Sequence, residues 1–125
     1  MRFFVRHWRI AATALLLFCA FTFSACHSYH IDVTIRNSTG GAISLLEVDY
    51  PTASFGADAL AAGADLHYLI QTRGSAPIKV QYTAANGRQI QNAGPTLSER
   101  QEGRIEVVLL PDGKAEFHPS LNPPR

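Results

Sequence analysis

Every one of the 9 glycines and 7 prolines in this 125-residue chain lies beyond residue 26. These residues punctuate regular structure, and their even spread leaves room for short strands and turns but not for long helices. The apolar residues between them follow a period of two, which places alternate side chains on opposite faces of a strand. Ile31, Val33 and Ile35 alternate with Asp32, Thr34 and Arg36 up to the turn-forming run Asn37-Ser38-Thr39-Gly40-Gly41. Ile43 and Leu45, then Leu46, Val48 and Tyr50, alternate with a one-residue slip that suits a β-bulge.

The pattern continues through Leu66, Tyr68 and Ile70, then through Ile78, Val80 and Tyr82. Asn86-Gly87 lies between two extended runs and predicts a hairpin over Thr83 to Ile90 with a type I′ turn. Ile105, Val107 and Leu109 form a further strand, and the apolar Val108 and Leu110 predict that it is central, with both faces partly covered. Asp112-Gly113 then turns the chain towards Ala115 and Phe117. The spacing predicts a connection over Pro51 to Ala64, and a loop with one helical turn before the Leu66 strand.

About seven short strands with turns at intervals of roughly ten residues predict an all-β, antiparallel two-sheet β-sandwich over residues 31–118. The pattern resembles the immunoglobulin-like and transthyretin-like sandwiches in architecture. It has no antibody-type core signature, because the sole tryptophan, Trp8, precedes the domain and no cysteine pair lies within it. Pro119, Pro123 and Pro124 predict an extended tail over 119–125.

Residues 1–25 follow a different logic. Arg2, Arg6 and Arg9 precede an apolar run from Ile10 to Phe23, which spans roughly 21 Å as a helix against the ~30 Å of a bilayer core. A basic start, a short apolar helix and small residues at its end are the parts of an export signal. The closing Phe23-Ser24-Ala25-Cys26 resembles the lipobox of bacterial lipoproteins, with Phe23 standing where that family usually has Leu. The resemblance implies cleavage before Cys26, a lipid on Cys26, and His27 to His30 as a short tether to the first strand. Ordinary signal-peptidase cleavage and an uncleaved anchor are the competing fates of the segment. Family members retained in the inner membrane often carry Asp after the acylated Cys. His27 therefore implies the outer membrane, where the organism has one.

Cleavage would change the chain's character. Cys19 would leave with the signal, so Cys26 would be the sole cysteine and no intrachain disulfide could form. With Arg2, Arg6 and Arg9 gone, 8 basic residues would face 10 acidic ones, a net charge of −2 in place of +1. No basic cluster remains to bind nucleic acid.

Chemistry-bearing motifs are sparse. His27, His30 and Asp32 have a spacing that could approach one metal ion, with His67 or His118 joining through the fold. Exposed histidines at strand ends account for the same residues without a ligand. Ser54 lacks the G-x-S-x-G elbow of a hydrolase, and the carboxylates are scattered over polar strand positions. Phe55 in the long connection and Arg100 in the Gly94 to Gly103 loop are the candidate partner contacts.

Two function classes follow. One is a non-catalytic envelope module, held to a membrane through Cys26 and engaging an envelope protein or polymer without a cofactor. The other is a periplasmic ligand-binding, metal-binding or hydrolytic domain that uses His67, His118 and the carboxylates.

Overall fold

The computed structural model describes residues 27–123, and the segment expected to be an export signal, with Cys26, lies outside them. Eight strands form the domain: β1 (Ile31–Asn37), β2 (Ile43–Tyr50), β3 (Ala53–Leu60), β4 (Asp65–Ile70), β5 (Ala76–Thr83), β6 (Gln89–Leu97), β7 (Gly103–Leu109) and β8 (Ala115–Leu121). They make two four-stranded sheets, ordered β4-β1-β7-β8 and β3-β2-β5-β6, which we call sheets A and B. Among the described residues there is no helix.

The alternating residues make the core. Ile31, Val33, Ile35, Val48, Ile78, Val80, Leu97, Val107 and Leu109 are all essentially inaccessible to solvent. Burying each such side chain is worth roughly 1.5–3 kcal/mol against an exposed reference, so the two inner faces hold the sheets together. As its apolar outer residues predict, β7 is central, flanked by β1 and β8.

One pairing departs from the antiparallel rule. β1 and β7 are parallel, with Val33 opposite Ile105 and Ile35 opposite Val107. Both strands start at the same end of the sandwich, because the chain crosses to sheet B after β4 and returns from β6 at the end where β1 began.

The turns correct the type I′ expectation. In the β5–β6 hairpin the Gly87 N–H donates to the Ala84 carbonyl and the Ala84 N–H to the Arg88 carbonyl, at 2.9 and 2.8 Å. Gly87 alone takes positive φ, +84°, while Asn86 does not. This is a type I turn closed by a left-handed glycine, and Asn86 Oδ1 locks it by accepting the Arg88 N–H. The β7–β8 turn repeats the device, with Gly113 at φ +80° and Asp112 Oδ1 accepting the Lys114 N–H.

The predicted long connection after Pro51 is a strand. β3 pairs with β2 along its length, so the helical turn expected before Leu66 is absent and Asp58 lies within β3. Its pattern hides it: Phe55 and Leu60 are both buried although an even separation would be needed to share a face. The slip matches the bulge predicted in β2, where the register against β5 shifts between Ser44 and Glu47 and Leu45 takes φ +51°. Gly56 permits the approach of β3, since a Cβ there would lie 1.9 Å from the Leu46 carbonyl oxygen.

The C-terminal tail is likewise corrected. Pro119 is paired with Ile105 inside β8, and Asn122 is held by bonds to and from the Glu102 backbone. The sandwich therefore runs past residue 118. Proline is tolerated because β8 is an edge strand with one unpaired side.

Candidate functional site

The strand directions give the domain two unlike poles. Four tight turns, at 38–42, 61–64, 84–88 and 110–114, gather at one. The other receives residues 27–30, the 71–75 and 98–102 loops and Asn122.

At the turn pole, Asn37 is fully buried. Its Nδ2 donates to the carbonyls of Gly41, Leu60 and Ala61 at 2.8–3.1 Å, while Oδ1 accepts from Thr39. A residue that reads in sequence as turn punctuation is thus a cross-link between the β1–β2 and β3–β4 turns. Tyr82 lies nearby, with a buried hydroxyl that has no hydrogen-bond partner among the described residues. Burial pushes this phenol above its ordinary pKa, and the Asp112 carboxylate adds to the effect.

At the N-terminal pole, His27 Nε2 lies 2.5 Å from Glu102, and Arg100 stands exposed at a loop tip with φ +62°. A shallow cleft of about 190 Å³ runs between His27, Tyr29, Arg73 and Arg100. Phe55, the other predicted contact, is not free: it is 92 % buried and stacked on Tyr68, with ring centroids 4.5 Å apart. Tyr50 packs beside it, and burial raises the pKa of that phenol. These aromatics close the seam between β3 and β4.

The histidines do not converge. His67 and His118 lie in one cross-sheet row, His67–Thr34–Glu106–His118, but on the opposite edge strands of sheet A. Three strand spacings of ~4.8 Å separate them by roughly 14 Å, too far to share an ion. His67 hydrogen-bonds Thr34 at 2.9 Å, and His118 lies 3.2 Å from Glu116. His30 is exposed, and its carbonyl accepts the Gly103 N–H. Among the described residues, no three His, Cys, Asp or Glu side chains form a metal-binding group.

The outer faces of the two sheets differ in how their polar groups are satisfied. On sheet A, Arg36 clasps Asp65 through two bonds of 3.0 and 3.2 Å and reaches Glu106 at 3.6 Å. The guanidinium bonds hold the Asp65 carboxyl below its ordinary pKa, and the carboxylates raise that of Arg36.

On sheet B, register aligns Gly56, Glu47, Gln81 and Gln91 in one row, with Thr83 opposite Gln89 in the next. Among the described residues, the side chains of Glu47, Gln81, Gln89 and Gln91 have no hydrogen-bond partner. Leu45 rises among them, 66 % exposed. A left-handed conformation costs an L-residue roughly 1–2 kcal/mol, and a leucine this exposed recovers little of it by burial. Depressions of about 630 and 610 Å³ meet at Leu45 and Glu47, one over β5 and β6 and the other over β3.

No family model and no curated protein matches the chain. Among solved structures, an NMR structure of a protein from Eubacterium rectale is similar, with a TM-score of 0.53 and 11 % identity. The match covers 71 % of this chain and 86 % of that one. The likeness is one of fold alone.

Sequence reading missed Leu45 as a surface feature, because its slip from Leu46 signalled only a bulge. Gln81, Gln89 and Gln91 carried a signal in their period-two spacing on polar positions. Their alignment with Glu47 depends on strand pairing, which the pattern does not encode.

Proposed function

We propose that this protein is a small, lipid-anchored module of the bacterial cell envelope. It is non-catalytic and holds an envelope partner at the surface of its sandwich. The observation that carries the reading is the lipobox-like Phe23-Ser24-Ala25-Cys26 only four residues before β1. A lipid on Cys26 would keep the N-terminal pole within about 14 Å of the membrane, at ~3.5 Å per extended residue. Arg73 and Arg100 would then lie towards the headgroups and the four turns away from them. His27 after the cysteine favours the outer membrane in organisms that have one.

The absence of convergence between His67 and His118 removes the support for the metal-dependent alternative built on that pair. Mass spectrometry of the native N-terminus tests the anchor. A diacylglyceryl-modified Cys26 as the first residue is the expected result, and it should vanish in Cys26→Ser. An unmodified thiol at Cys26, or a retained Trp8, would overturn the reading.

A further inference from the structure

The geometry points to the outer face of sheet B as a binding surface for a neutral, hydroxyl-rich glycan, with Leu45 as its apolar contact. The inference rests on the domain being a binding module and is independent of the lipid anchor.

Three observations converge on this face. The first is the bulge, which holds Leu45 at φ +51° and turns its side chain out to solvent between two depressions. Bulges re-aim side chains next to functional sites, and an unfavourable backbone that gains little burial calls for another role. The second is the row Glu47–Gln81–Gln91 with Gln89 beside it, whose side chains have no partner among the described residues. A primary amide offers two donors and an acceptor and a carboxylate offers acceptors, a combination suited to hydroxyl groups that both give and receive. The third is charge. Among the described residues, Glu47, Asp49 and Asp58 face outwards with one cation, Lys79, so the surface disfavours phosphate- or sulfate-bearing polymers.

A protein partner fits less well. Protein interfaces take most of their energy from aromatic or arginine anchors seated in desolvated pockets, and this face offers neither. A sugar ring needs a smaller apolar contact for its C–H face, which Leu45 supplies.

The test is solution NMR on the full-length protein in detergent micelles. The probes are chitotetraose, cellotetraose and maltotetraose at millimolar concentration, with dextran sulfate and a lysine-rich peptide as comparisons. The expected result is that at least one neutral oligosaccharide shifts the side-chain amide signals of Gln81, Gln89 and Gln91 and the Leu45 methyls. Leu45→Gly should weaken that binding at least tenfold while raising the melting temperature, because glycine relieves the left-handed strain as it removes the contact. Gln91→Ala should weaken binding with the melting temperature unchanged. The proposal is overturned if none of the three sugars moves these signals, if the lysine-rich peptide or dextran sulfate moves them instead, or if Leu45→Gly binds as well as the parent. Neither acylation nor its absence alters these readouts, so failure here and failure of the anchor are separate results.

Discussion

The outer faces of sheets A and B are made from the same kind of alternating strand, yet sheet A carries a charge cluster that bonds to itself and sheet B carries a row of glutamines that does not. On sheet A, opposite charges meet across β4, β1 and β7, so Arg36, Asp65 and Glu106 bond to one another. On sheet B, like-natured polar groups meet across β2, β5 and β6, and the Asp49 and Lys79 positions face each other without an ion pair among the described residues. Groups that pair with one another have little hydrogen-bonding capacity left for a ligand. A face of unpaired amides keeps all of it.

The comparison can be broken most directly at the floor of sheet B. Gly56→Ala would drive a Cβ, fixed directly to the β3 backbone, against the Leu46 backbone carbonyl, so neither side can swing away. A loss of about 3 kcal/mol in urea unfolding is expected, at the upper end for overpacking. A loss below about 1 kcal/mol would mean that β3 can slide and that the face is less rigid than described.

Asn37→Ala removes the joint at the turn pole and leaves the buried Leu60 carbonyl and the part-buried carbonyls of Gly41 and Ala61 without this donor. A cost of about 2 kcal/mol is expected. Amide exchange should accelerate first in the 38–42 and 61–64 turns, and uniform acceleration would show that Asn37 supports the whole fold instead.

The smallest effect belongs to the paired face. Asp65 has a folded pKa below its ordinary value, so its contribution is present above the unfolded carboxylate range near ~3.9 and is lost as pH falls through the folded value. Asp65→Asn should therefore melt slightly lower than the parent at neutral pH, and the two should converge in strong acid. High salt should also shrink the gap, since the pair is solvent-exposed. A gap that persists at pH 2 would assign the effect to packing.

Much of the sandwich was legible in local pattern. The core positions Ile31, Val33, Ile35, Ile78, Val80, Ile105 and Val107 keep a period of two, and the Leu45-Leu46 slip marks the bulge. β3 was not legible, because Phe55 and Leu60 change phase across Gly56 and the small residues between them carry no alternation. The β8 extension was obscured by Pro119, which reads as a breaker unless the strand is known to lie at an edge.

The sequence by itself determined which residues face inwards, since alternation follows from the geometry of a single extended strand. It also carried the export-like segment and the lone cysteine left after it. Tertiary structure alone decided which polar residues meet. Register and strand order set Arg36 beside Asp65, Glu47 beside Gln81, and His67 three strands from His118. Those relations join residues from distant parts of the chain. They arise only when two sheets bury their apolar faces together, so no local period can announce them.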